Sequence, residues 1–204
     1  MESLILKLVI LVLTSVSTAV FSQSTDAQKY SHEAAQNDTH RSVDKLPSSD
    51  AQKSFDQLKT LAGTWRGSVK ATPPDPDIDG AAPEITLRVT SRGNALVHEM
   101  QEAGKPLDPT KYDHPVTMLY VDGDKLNLVH YCDAGNRPRM VARPSVNANK
   151  VEFDFSDLSG GNEHGHMYHA VFTIIDADHH AEDWTYMMPG DKPMQAHMDL
   201  QRVK

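Results

Sequence analysis

The residues best equipped for chemistry in this chain are few. His130 and Cys132 stand two apart in a segment that alternates apolar and polar residues. On a strand they share one face, with Cα atoms roughly 6.5–7 Å apart. Imidazole and thiolate together suit zinc or copper, and His98 and His166 are candidates to complete such a set. Nothing in the sequence makes their strands neighbours. The same residues also read as hydrogen-bonding partners inside a filled core, since buried polar groups need partners. A further reading is that they orient an organic ligand in an otherwise apolar pocket.

Cys132 beside a histidine is also a candidate thiolate nucleophile. Side chains two apart on one strand, however, run parallel and do not point at each other. There is no Gly-x-Ser-x-Gly elbow, no Gly-rich phosphate loop and no His-Glu-x-x-His pair. Arg137 and Arg139, after Gly135-Asn136, read either as a grip on an anionic ligand at a barrel mouth or as ordinary surface charge. Asp176, Asp178, Glu182 and Asp183 read as solvated carboxylates beside a hairpin. His164, His169, His179 and His197 fall to loops or to the outer face.

Strands must position these residues. A first helix is expected from about residue 50, capped by Ser48, Ser49 or Asp50, with Phe55, Leu58, Leu61 and Ala62 on one face and Gly63 ending it. After it the period changes from 3.6 to 2: Trp65, Gly67, Val69 and Ala71 alternate with Arg66, Ser68 and Lys70, and Ile85, Leu87 and Val89 with Glu84, Thr86, Arg88 and Thr90. The pattern continues through Leu96, His98 and Met100, then over 116–121 and 125–132 around the hairpin signal Asp122-Gly123. Further strands are expected at 138–144, 149–156, 165–176, 179–188 and 194–203. About ten short antiparallel strands with almost no helix argue for closure into a barrel, because closure removes both sheet edges.

A short helix running into Leu61-Ala62-Gly63-Thr64-Trp65-Arg66-Gly67, then a ten-strand meander, resembles the calycin group of lipocalins, fatty-acid-binding proteins and nitrobindins. The segments His130-Tyr131-Cys132, Gly135-Asn136-Arg137-Pro138-Arg139-Met140, Gly165-His166-Met167, Asp178-His179 and Trp184-Thr185-Tyr186 look like a family of secreted bacterial proteins of unknown function with a calycin-like barrel. The resemblance covers about residues 55–204. It implies an all-β barrel of about ten antiparallel strands behind a short N-terminal helix, with Trp65 packed at the closed end. Its nitrobindin branch implies haem, held by an inward histidine such as His166 or His130. Nitrobindin-like chains read Gly-x-Trp-x-Gly-x-Gly, and here Val69 replaces the last glycine.

Strand parity then fixes what should face inward. Leu126, Leu128, His130 and Cys132 lie opposite Lys125 and Asn127. Val151, Phe153 and Phe155 form another inward row, as do His166, Tyr168, Ala170, Phe172 and Ile174. Trp184, Tyr186 and Met188 follow, then Ala196, Met198 and Leu200. An apolar ligand would therefore meet His98, Met100, Leu128, His130, Cys132, Arg139, His166, Tyr168 and Tyr186. A metal would take His98, His130, Cys132 and His166. Metal-free binding of a small, largely apolar molecule is the reading adopted; a zinc, copper or haem barrel is the alternative, and an enzyme using Cys132 the third.

Composition bounds the rest. A net charge of −8 speaks against nucleic acid as a partner. Hydrophobic residues at 39% against 24% charged suit one globular domain. The single cysteine forbids an internal disulfide and the multi-thiolate zinc folds. Lys7 followed by the apolar run Leu8 to Val16 and small residues to Ser22 reads as a cleaved export leader over 1–22, giving a secreted or periplasmic protein without stable membrane insertion. Residues 23–49 carry too few apolar side chains to order themselves and read as a linker. The barrel domain is expected over 50–204.

Overall fold

The computed structural model of the protein describes residues 49–144 and 147–204. The expected leader, and the linker save its last residue, lie outside them. Helix α1, Asp50–Lys59, starts at Ser49, whose hydroxyl accepts the Gln52 amide at 3.1 Å. Asp50 in its first turn and Lys59 in its last complement the helix dipole. Its buried face, Phe55 and Leu58, continues into Leu61.

Ten antiparallel strands follow: β1 Gly63–Thr72, β2 Pro83–Thr90, β3 Ala95–Glu102, β4 Val116–Asp122, β5 Lys125–Tyr131, β6 Arg137–Ala142, β7 Lys150–Ser159, β8 His166–Ile174, β9 His179–Met188 and β10 Lys192–Arg202. Each pairs with its neighbour in sequence, and β1 pairs with β10, closing the barrel. A one-turn helix, α2 Pro76–Asp79, interrupts the β1–β2 connection. Asp79 there accepts the Ala71 amide at 2.6 Å, tying the turn to the end of β1.

The two ends differ in construction. At one, α1 packs on β2, β4 and β5 beneath Trp65. The Trp65 indole donates to the Leu61 carbonyl at 2.8 Å, and the Arg202 guanidinium lies 4.1 Å from its ring centroid. Arg202 also donates to the carbonyls of Ala62, Thr60 and Ala177, so one side chain joins the exit of α1, the end of β10 and the β8–β9 turn. Gly67 permits the close approach of β1 to β10: a Cβ there would run into the Asp199 carbonyl. The other end carries the longer connections, 73–82 and 103–115, and stays open.

Five inward assignments fail, each for a local reason: those of Tyr168, His166, Phe155, Cys132 and Met188. A bulge in β8 leaves Tyr168 unpaired between Met167, opposite Tyr186, and His169, opposite Thr185. The alternation therefore shifts there: Ala170 and Phe172 are fully buried, but Tyr168 is exposed. A second register shift, where Arg139 pairs with Asp157 but Met140 with Phe155, leaves Phe155 only half-buried and stacked on Tyr168. Strand β5 ends at Tyr131, so Cys132 begins a turn and is half-buried. Met188 lies at the very end of β9 and is exposed.

Candidate functional site

Strand β9 carries the inward row that organises the interior. From the closed end it reads His180, Glu182, Trp184, Tyr186. His180 meets the Trp65 ring edge-on at 4.2 Å. Glu182, one step on, is fully buried and accepts three hydrogen bonds: from His98 Nε2 at 3.0 Å, His180 Nε2 at 3.0 Å and Trp184 Nε1 at 2.9 Å. Burial alone would raise its carboxyl pKa. The charge of His98 and the hydrogen bonds from His180 and His98 outweigh burial and hold it well below the ordinary carboxylate range. Among the described residues, the outer ring nitrogens, Nδ1 of both His98 and His180, are buried without a partner.

Beside this cluster, β3, β4 and β5 set His98, Thr117 and His130 side by side in register. Thr117 Oγ1 lies 2.8 Å from His130 Nδ1, and the His130 ring packs 5.7 Å from Trp184. Burial first, and the His98 charge second, lower the His130 pKa to about 4. This layer is a packed polar core gathered on one carboxylate. Its chemistry is structural, because every partner of Glu182 is itself enclosed.

Above Trp184 the barrel opens into a cavity of about 550 Å³. Val69, Met100, Met167, Met194 and Met198 supply its apolar wall, with Trp184 at its floor. Thioether side chains adapt to irregular shapes and so give a wall that can mould to an occupant. Tyr112 and Tyr186 stand higher, with Asp77, Glu102, Asp113, Asp133 and Lys111. The Tyr186 hydroxyl donates to the His164 carbonyl at 2.8 Å, fixing that ring.

The residues expected at a ligand separate by depth. Met100 and Tyr186 line the cavity. His98, Leu128 and His130 are buried in the core below it. Arg139 is on the outer face in a two-pronged pair with Asp157, at 2.8 and 2.7 Å, away from the mouth. His166 pairs with Met187 across the β8–β9 ladder, and its ring lies under Phe155 at 4.7 Å with Nδ1 2.8 Å from Asn162 Oδ1. The expected metal set is therefore not assembled. Among the described residues no group of three or more His, Cys, Asp and Glu side chains is arranged to hold a metal ion.

Cys132 donates to Asp133 at 3.5 Å, and burial above all pushes its thiol up to about 11, so it stays protonated at neutral pH. Nor is an inward histidine offered to a haem. The cavity lining contains no histidine, while the inward imidazoles of His98 and His180 are committed to Glu182 and that of His130 is enclosed against Trp184.

The carboxylate at the centre of the molecule was not expected there. Glu182 reads as a turn residue by its neighbours Asp176, Asp178 and Asp183, yet the parity that places Trp184 and Tyr186 inward also places Glu182 and His180 inward. That extension of the alternation was the signal. His169, His179 and His197 lie on the outer face, as expected, and there pair with Asp154, Asp199 and Asp183.

The chain matches no family model and no curated protein. Among solved structures it is similar to Rv2717c from M. tuberculosis, at 16% identity and a TM-score of 0.53, over 74% of this chain and 97% of that one. It also matches a protein of unknown function from the DUF3598 family of Nostoc punctiforme PCC 73102, at 12% identity and a TM-score of 0.47, over 72% of this chain and 49% of that one. The first likeness shows a shared barrel fold and nothing further.

Proposed function

We propose that this protein is an exported binding protein whose barrel holds one small, largely apolar molecule at its open end. The observation that carries this reading is the cavity of about 550 Å³, walled by Met100, Met167, Met194 and Met198 over Trp184. Pockets of a few hundred Å³ with apolar walls and a few polar groups are how small-molecule sites are built. The buried network supports the same division of labour, because it fills the lower barrel with side chains gathered on Glu182 and leaves the upper part to an occupant. The leader expected over 1–22 favours an occupant met outside the cytoplasm.

Native mass spectrometry of protein purified from its own host tests the reading. The expected result is a one-to-one organic adduct, released on denaturation and absent from an Ala196→Phe chain, in which the new ring fills the cavity from β10. Protein free of any adduct that also fails to bind a neutral apolar dye saturably would overturn it.

A further inference from the structure

We infer that the occupant of the open-end cavity is a cationic amphiphile, an apolar body with an amine or quaternary ammonium head seated against Asp113 and Asp133. This rests on the cavity reading above and adds the chemistry of the ligand's polar end. The cavity itself is the site; its rim decides which head group it accepts.

The charge balance of the lining is one-sided. Asp77, Glu102, Asp113 and Asp133 face a single cation, Lys111. Lys111 is engaged with Asp108 at 3.3 Å, outside the lining, and Glu102 has Lys105 at 3.9 Å. Among the described residues Asp77, Asp113 and Asp133 have no Lys or Arg within ion-pair distance. Among the described residues the surplus at the mouth is therefore negative.

Asp113 and Asp133 also repel one another. The protein around Asp113, together with the Asp133 charge, raises the Asp113 carboxyl above its ordinary pKa despite the opposing effect of His114. A cation placed between the two would relieve that repulsion, whereas a carboxylate head would add to it. The rings of Tyr186 and Trp184 border the same space, and aromatic faces favour ammonium groups, as the Lys105 ammonium 5.4 Å from the Tyr112 ring centroid at the same mouth illustrates. The overall charge of −8 acts in the same direction at longer range.

Competition against the neutral dye N-phenylnaphthylamine tests this with three probes of one chain length: dodecylammonium, dodecanol and dodecanoate, each below its micellar concentration at neutral pH. The expected order is dodecylammonium about tenfold tighter than dodecanol, with dodecanoate weakest. Raising ionic strength to about 0.5 M should shrink that preference in the unaltered protein, because exposed charges are screened. Asp113→Asn combined with Asp133→Asn should bring dodecylammonium down to the affinity of dodecanol. Equal affinities for all three probes, or dodecanoate binding tightest, would overturn the head-group assignment while leaving the cavity as a binding site. Failure of the dye and all three probes would overturn the cavity reading, and this inference with it.

Discussion

The closed and open ends of this barrel solve opposite problems with similar residue types. At the closed end and below the cavity floor, polar side chains are drawn together on enclosed groups: Glu182 is held by His98, His180 and Trp184, and Trp65 by the Leu61 carbonyl and Arg202. At the open end Asp77, Asp113 and Asp133 border an apolar cavity with, among the described residues, no Lys or Arg within ion-pair distance of them. Polar groups that satisfy one another build rigidity; polar groups left facing a space are available to something that enters it. Trp184 belongs to both regions, donating downward to Glu182 while its ring forms the cavity floor.

Substitutions should separate the two ends by their effect on stability. The largest loss is expected for Trp65→Ala, about 3–5 kcal/mol and toward the top of that range, because the cavity left behind also deprives Arg202 of its ring partner. Glu182→Ala follows at about 3–5 kcal/mol, since His98, His180 and Trp184 each lose an enclosed acceptor. Denaturant unfolding with an unchanged m-value measures both. A loss below about 1 kcal/mol for Glu182→Ala would mean that water reaches the network and that the division between the ends is not real.

Acid should act on the lower region next. His130 titrates near 6.5 when unfolded and at about 4 when folded, so between those values the unfolded chain binds the additional proton. Stability therefore falls as pH drops from about 6.5 to 4, by about 3 kcal/mol in total, and levels off below. Glu182, whose folded pKa is depressed, contributes stability that is present above its unfolded value and is lost as pH falls further. His130→Gln should flatten the first window and leave the second. A His130→Gln chain with the same slope from pH 6.5 to 4 as the parent would assign that window to another group.

The smallest effects on stability belong to the mouth. Met194→Ala should change unfolding free energy by less than about 1 kcal/mol, since Met194 is half-exposed, yet weaken binding of a neutral apolar dye several-fold. The reverse pattern, with stability lost and dye affinity kept, would make Met194 part of the core.

The barrel was legible because its physics is local. Two-residue alternation marks each strand, Asp122-Gly123 marks a tight hairpin, and a meander needs no long-range pairing to be guessed. The site was legible only in part, for identifiable reasons. The β8 bulge adds one residue to the strand, and nothing in His166-Met167-Tyr168-His169 announces it, so Tyr168 and His166 were placed on the inner face. Cys132 lies one residue past the end of β5, where parity stops applying. Glu182 was hidden differently: a carboxylate beside turn aspartates looks solvated unless its strand neighbours are followed without exception. The cavity depends on how far α2 and the 103–115 connection stand from the rim, which is a tertiary property with no signature in either segment alone.

The central claim is that a ligand enters above Trp184 and never reaches the closed end. The chain contains two tryptophans, one in each region. Brominated dodecanol, a neutral apolar quencher, should therefore report where it binds when titrated into the unaltered protein and into Trp65→Phe and Trp184→Phe chains, each first checked for cooperative unfolding. The expected result is saturable quenching at one equivalent in the unaltered and Trp65→Phe proteins, where Trp184 emits, and none in Trp184→Phe, where only Trp65 remains. Quenching of Trp65 as strong as that of Trp184, or no saturable quenching of either, would contradict the account.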